Sequence, residues 1–470
     1  MLTARRTFLG QALAAAGVLS LHPALALAQP LVAVPNVTQL YTVQVARVVA
    51  PATTQEVAQE VRAWPGKIAV GGGRYSMGGQ VGITGGLHLD MRKMNKLLNL
   101  DTQAKVARVQ AGIRWRDLQD VLDLADLSVR SMQSYSNFTA GGAVSVNAHG
   151  RYIDSGPVGS TVRALKIVIA DGTVVEATPT LNTELFRAAI GGYGAVGVIT
   201  EVELDLADNV RIERVVKSVA LKDYPAHFAR LADAGDHIFH NADLSPPHFN
   251  APVSVSWRRT RKPLTETRRL VARGASYELE QNIIFLMTEA PLADLLIKSV
   301  AHPLRHAGAK VKWRNHEASL DVAELEPESR RYSTYVLQEY FIPVRHFEAY
   351  VKDMAATIRK FEAKVLNVSV RHAMADPIPL LPWAKEEVFS FVVYYKQGTG
   401  SAACEQTATW TRAMIDVALG YEGRYYLPYQ LHATKAQFEQ AYPEADAFRA
   451  VKRKADPTGK FSNELWVKYL

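Results

Sequence analysis

The chain is nearly free of cysteine: Cys404 is the only one among 470 residues. No intramolecular disulfide is possible and no cysteine-based metal site can be assembled. One buried cysteine behaves chiefly as a small hydrophobe. Long apolar runs are scarce as well. Beyond the N-terminal segment no stretch is long and apolar enough to span a bilayer, so no stable membrane insertion is expected. There is no low-complexity tract and no internal repeat. No run joins dense Lys/Arg to interleaved aromatics as a nucleic-acid groove would, so no nucleic-acid partner is expected. Charge is only mildly one-sided, at +8, with 48% hydrophobic and 21% charged residues. That composition is ordinary for a globular protein, favours anionic ligands slightly, and on length suggests two or three domains.

What is present begins with an address. Thr3-Ala4-Arg5-Arg6-Thr7-Phe8-Leu9 is a paired-arginine region, followed by an Ala/Leu-rich run and the small-x-small site Ala26-Leu27-Ala28. Residues 1–28 resemble a twin-arginine export signal, which a receptor reads and which does not itself anchor the protein. The expectation is a periplasmic protein that folds, with any cofactor loaded, before export. An uncleaved anchor is the alternative, and His22-Pro23 interrupts its apolar run.

The stretch from Lys67 to Arg92 organises the rest. A short strand, Ile68-Ala69-Val70, breaks into Gly71, Gly72 and Gly73; Gly78-Gly79 and Gly85-Gly86 follow, and Leu87-His88-Leu89 closes the segment. Glycine lets a backbone approach a ligand closely. Successive N–H groups in such a loop make an anion-binding concavity suited to a pyrophosphate.

Around it, Thr54 to Trp64 has helical spacing with Thr53 or Thr54 as N-cap and Val57 and Val61 on one face. Lys105 to Gln110 alternates as a strand. Arg114 to Ala125 reads as a helix with Leu118, Val121, Leu122 and Ala125 on its apolar side. Residues 134–150 are rich in small and hydroxyl side chains. Leu165 to Ala170 and Thr173 to Ala177, joined by Asp171-Gly172, form a hairpin. A short helix from Asn182 to Ile190 precedes a second glycine-rich turn and a strand from Val198 to Leu206. This mixture predicts an α+β fold. Past Asn209 glycine thins, charged segments such as Arg258 to Arg273 lengthen, and strands are expected at Val253–Trp257, Tyr332–Ile342, Val365–Arg371 and Val388–Lys396. The basic run reads as a solvated face. His302, His306 and His316 lack a trustworthy metal-ligand spacing, and no metal is expected.

Several of these residues together resemble the vanillyl-alcohol oxidase, or PCMH-type, flavoprotein family. Gly71-Gly72-Gly73-Arg74-Tyr75-Ser76-Met77-Gly78-Gly79-Gln80 is similar to its pyrophosphate loop G-G-G-H-S-x-x-G-Q, stretched by one residue. Leu89-Asp90-Met91, Val109-Gln110-Ala111-Gly112, Gly141-Gly142, Asn147-Ala148-His149-Gly150, Gly159-Ser160-Thr161-Val162, Gly197-Val198-Ile199-Thr200 and Asp456-Pro457-Thr458-Gly459-Lys460-Phe461 follow in order. The sugar-directed branches, aldonolactone and alditol oxidases and decaprenylphosphoryl-ribose oxidases, are the nearest in pattern.

The resemblance implies a PCMH-type FAD-binding domain over residues 38–208, an antiparallel-sheet substrate (cap) domain over 209–422, and a C-terminal segment, 423–470, returning to the first domain. FAD would be held by Gly71, Gly72, Gly73, Arg74, Tyr75, Ser76, Met77 and Gln80 of the loop, and by Ser134, Thr139, Gly141, Gly142 and Ser145. Pro157, Gly159, Ser160, Val198, Ile199 and Asn463 complete that set. Where many members attach flavin through a loop histidine, this chain has Arg74 and Tyr75, so noncovalent FAD is expected. A guanidinium there suits a phosphate or a flavin carbonyl.

For chemistry, the resemblance points to Glu339, before Pro343, facing substrate, and to Arg371 as a cation over it. Tyr426 and Tyr429 fall in the aromatic segment near the flavin, Tyr429 where some relatives carry lysine, and His149 lies near the ring. The implied activity is oxidation of a CH–OH group of a sugar, sugar lactone or related alcohol, by hydride transfer to the flavin, with O2 or another acceptor as electron partner. The alternative is an exported, non-catalytic flavin-binding carrier.

Overall fold

Thr53 starts the first helix as its spacing predicts: its hydroxyl accepts from Glu56 N, and the helix Thr54–Ala63 buries Val57 and Val61 completely. In the computed structural model, residues 30–275, 310–325 and 329–470 are described. The expected signal, residues 1–28, and His302 and His306 lie outside them. The fold is α+β.

That helix packs beside a small parallel sheet, Arg47–Val49, Leu87–Asp90 and Ile68–Gly71, whose last strand opens into the glycine loop. Next to it lies a mainly antiparallel sheet in the order Val174–Ala177, Val162–Val168, Val198–Asp208, Val106–Gln110, Leu97–Asp101, with Leu127–Val129 also pairing with Val198–Asp208. The expected hairpin turns at Gly172, whose φ of +81° a side chain would strain. The expected helix from Arg114 to Ala125 is shorter, Trp115–Leu122 followed by a 3₁₀ turn. Its buried face is Trp115, Leu118, Gln119 and Leu122, and Val121 is 40% exposed. At about 100° per residue Trp115, Leu118, Gln119 and Leu122 share one face, and position 121 falls about 110° from its centre, so Val121 turns towards solvent.

The strand Arg211–Ser218 enters a second sheet of eight strands, all antiparallel. Its order is Val311–Trp313, Arg211–Ser218, Val253–Arg259, His237–Leu244, Val365–Ala373, Val388–Gly398, Ser333–Pro343, Arg424–Tyr425. Helices Phe347–Lys360 and Ser401–Gly420 contact the strand Ser333–Pro343. Polar side chains there bond to one another: Gln338 donates to Tyr395 Oη and Thr411 Oγ1 and accepts from Tyr340 Oη. Because strand side chains alternate, Leu337, Glu339 and Phe341 leave from the opposite face.

The last stretch of chain reaches back to the glycine loop. Ile68 N donates to Lys460 O and Ser462 N to Ile68 O, while Thr84 donates through both backbone and side chain to Glu464. The basic run is largely ion-paired. Arg258 and Lys262 meet Glu213, Arg269 meets Asp123 and Asp126, and Arg273 meets Asp117 and Asp120. Among the described residues no helix is long and apolar enough to cross a membrane.

Candidate active site

The glycine loop is shaped by contacts that exclude side chains. A Cβ on Gly72 would stand 2.2 Å from Thr139 Oγ1, so the loop backbone packs directly on the side chain of Thr139, the residue ahead of the short helix Ala140–Ser145. Gln80 stitches the loop to the C-terminal stretch: its amide donates to Leu427 O at 2.7 Å and Tyr429 O at 2.9 Å. Met77 N adds a bond to Pro428 O. Tyr429 is therefore positioned by the loop itself.

Arg74 occupies a left-handed backbone position, φ +62°. Its guanidinium donates to Asp90 at 3.0 Å and to His88 Nε2 at 3.1 Å. His88 Nδ1 in turn donates to Val81 O. Burial, and the Arg74 charge beside it, push His88 down to about 4, so the ring is neutral and its one lone pair is taken by Arg74. Tyr75 packs its ring 4.7 Å from Phe138.

A cavity of about 240 Å³ runs from this loop to the second sheet. Gly72, Gly73, Arg74, Tyr75, Ser76, Met77 and Gln80 line it, with Ser134, Thr139, Gly141, Gly142, Ser145 and Ile199. Its other wall carries His149, Leu337, Glu339, Arg371, Val392, Tyr426 and Tyr429. The sequence-derived residues thus largely converge on one cavity. Six stand outside its lining. Gly71 rests on His88; Gly159 N donates to Asn147 Oδ1 behind the His149 turn; and Ser160 bonds the Ser155 and Pro157 carbonyls. Val198 is core, beside the lining residue Ile199, and Asn463 caps the final helix while donating to Tyr193 O.

Glu339 gathers the polar contacts of this wall. It is 3% exposed, and its carboxylate receives three donors. His149 Nε2 and Ser390 Oγ each reach Oε1 at 2.5 Å, and Tyr429 Oη reaches Oε2 at 3.0 Å. Burial alone would raise its pKa. His149, by field and hydrogen bond, then the Arg371 charge and the Ser390 hydroxyl, outweigh burial and hold it below the usual carboxylate value. Glu339 is therefore a buried, ionised acceptor. Burial and the Glu339 charge push the Tyr429 hydroxyl well above its ordinary range, so it stays a donor. Tyr426 serves differently, its hydroxyl donating to Val146 O and Asn147 O and so bracing the turn that carries His149.

That turn is clamped from several sides. Asn147, at φ +47°, donates to Asp376 Oδ2 at 2.6 Å, and its carbonyl accepts from Trp383 Nε1 at 2.9 Å. Trp383, stacked 4.3 Å from Phe341, packs against the His149 ring at 4.9 Å. Ser390, Asp376 and Trp383 were not singled out from sequence. Alternation along Val388–Gly398 puts Ser390 and Val392 on one face, but which strand lies opposite is a property of the folded sheet.

The residues present fit a large polar cofactor. Arg74 Nε, Ser134 Oγ, Thr139 Oγ1, His149 Nδ1 and Arg371 Nε are buried without a partner among the described residues, and all five residues line the cavity. Buried polar atoms left unpaired by the protein are normally satisfied by something bound. Comparison with known proteins decides what. A family model described as FAD binding domain matches residues 45–178, and one described as D-arabinono-1,4-lactone oxidase matches residues 247–469. The chain belongs to the PCMH-type FAD-linked oxidoreductases. Within this family it is 25% identical to the L-gulonolactone oxidase of Bos taurus over 418 residues, covering 87% of this chain and 91% of that protein. It is 25% identical to an alditol oxidase of Streptomyces over 419 residues, 88% of this chain and 93% of that one. A shorter match, 29% over 174 residues and 37% of each chain, is to the decaprenylphosphoryl-beta-D-ribose oxidase of Mycolicibacterium smegmatis. This flavoenzyme is accordingly an FAD-dependent oxidoreductase of CH–OH donors.

Proposed function

We propose that the protein oxidises a secondary or primary CH–OH group of a sugar, sugar lactone or polyol, with Glu339 as the group that takes the hydroxyl proton. The observation that carries this is a buried carboxylate, held ionised by three donors, on the wall of a cavity whose far side is the glycine loop. The bound FAD supplies a two-electron acceptor for the hydride leaving carbon. The chain's own residues do the rest. As the C–H bond breaks, the substrate O–H bond breaks too; its proton passes to a free lone pair of Glu339, and its electron pair closes the C=O bond. Tyr429 and Ser390 keep the carboxylate oriented. Arg371, whose Nε has no partner among the described residues, offers a fixed donor to a substrate oxygen. Phe341 and Trp383 shield the His149 side from water.

The flavin is held noncovalently in this reading. Support comes from the loop: Arg74 is committed to Asp90 and His88, and the lone pair of His88 is already engaged. Acid precipitation of the purified yellow protein tests it, since flavin remaining in solution supports the claim and flavin in the pellet defeats it. Export through the twin-arginine route, with O2 or another acceptor met in the periplasm, rests on the Arg5-Arg6 segment. A lysine pair at those positions should trap the protein in the cytoplasm. Turnover of a panel of polyols, aldoses and lactones, with O2 and with a dye acceptor in parallel, tests the activity and separates oxidase from dehydrogenase.

A further inference from the structure

Glu339 is one end of a longer polar row. Strand register places it opposite Val392, Val392 opposite Ser369, and Ser369 opposite Asp243. Directly opposed residues share a sheet face, so Ser369 and Asp243 leave from the same face as Glu339. Arg371 sits two residues from Ser369 on its strand, and Asn241 two residues from Asp243. At the usual strand spacing the row extends about 14 Å from Glu339 to Asp243. The cavity lining stops at Glu339, Val392 and Arg371.

The chemistry of this row contrasts with the rest of the sheet. On the helix-covered face Gln338, Tyr340, Tyr395 and Thr411 satisfy one another. Glu213, another carboxylate on the sheet, pairs with both Arg258 and Lys262. Asp243 has no cation among the described residues. It receives only the amides of Asn241 and Asn367, each at 3.3 Å and both on Oδ1. The Ser369 hydroxyl meets no partner among the described residues, and Asn241, Asp243, Asn367 and Ser369 are all half-buried.

We propose that this row is a second substrate subsite, taking a neutral polyhydroxylated unit joined to the one oxidised at Glu339, so that the preferred substrate is a glycoside or an extended polyol. The proposal rests on the carbohydrate-oxidising reading above. A hydroxyl both donates and accepts. It is the group that can meet the free Asp243 oxygen, the Asn amides and the Ser369 hydroxyl in turn. An anionic unit would face Asp243, and an apolar one would strand these groups unpaired.

The test compares a free polyol or lactone with its neutral glycoside on the FAD-loaded protein. It reads kcat/KM by dye reduction and, separately, affinity by calorimetry. The wild type should favour the glycoside by about tenfold, the equivalent of about 1.4 kcal/mol. Asp243→Ala and Asp243→Asn should erase that preference while leaving kcat/KM on the single unit within about twofold. The Asn variant keeps the side-chain shape should the Ala variant fail to fold. Turnover of the single unit with no glycoside preference overturns the subsite and leaves the activity standing, as does an equal fall on both substrates in the variants. Glycoside binding that depends on Asp243, without any flavin reduction, supports the subsite and overturns the oxidation reading. Neither binding nor reduction overturns both.

Discussion

Replacing Glu339 by glutamine is the sharpest perturbation of the site, because it changes charge without changing shape. The amide oxygen of a glutamine can still accept from His149 and Ser390, whose bonds to Oε1 are both 2.5 Å in the native protein. The Tyr429 contact at 3.0 Å can reverse direction, with the new amide donating to the phenol oxygen. Packing should therefore hold, and the burial penalty that opposes the carboxylate disappears. What is lost is the basic lone pair that takes the substrate proton. A positioned general base contributes about 10²–10⁴-fold, so the barrier should rise by about 2.7–5.4 kcal/mol. The assay is single-turnover reduction of the bound flavin under anaerobic conditions, with the flavin-to-protein ratio measured alongside. Glu339→Gln should retain its flavin and reduce it at least about a hundredfold more slowly. Flavin retained and reduced within about threefold of the native rate would refute the assignment of Glu339 as base.

The pH profile carries the same logic. Because the folded pKa of Glu339 is held below its usual 4.5, the base form survives below that value, and the acid limb of kcat/KM should lie under pH 4.5. The stability contributed by the ionised carboxylate follows the same course, present above its unfolded pKa and lost as pH falls through the folded one. An acid limb above 4.5 would point to another group. Gly72→Val should give a colourless protein, since its Cβ lies 2.2 Å from Thr139 Oγ1 where the loop must close; a normal flavin content would contradict the close-approach argument. Arg424 is 2% exposed and holds Glu444 through two bonds of 2.7 and 2.8 Å as well as Pro382 O. Arg424→Met leaves Glu444, whose side chain is 36% exposed, free to hydrate, so it should cost about 1–2 kcal/mol in urea unfolding while sparing flavin binding, and an unchanged midpoint would show the pair to be idle.

The cofactor end of this protein was open to reading from sequence because its signals are local. Gly71 to Gln80, the Thr53 cap and the Asp171-Gly172 turn each encode their shape within a few residues, and the structure builds them accordingly. Helix faces were less secure: with Trp115 counted, the buried face of its helix centres on positions 115, 118, 119 and 122 and leaves Val121 outside it. The substrate end was only partly readable. Glu339 and Arg371 could be named from their strands and a resemblance, but Ser390 is recognisable as a partner of Glu339 only once Val388–Gly398 is known to lie between the other two strands. Asp376 and Asn147 meet across 229 positions of sequence, and no local pattern reports such a clamp. Register and tertiary contact supply what periodicity cannot.

The most direct measurement is anaerobic titration of the purified yellow protein with a panel of polyols, aldoses and aldonolactones while the visible flavin absorption is recorded. At least one member should bleach the flavin stoichiometrically, with one carbonyl product formed per flavin reduced. Flavin that stays bound and oxidised across the whole panel would contradict the account.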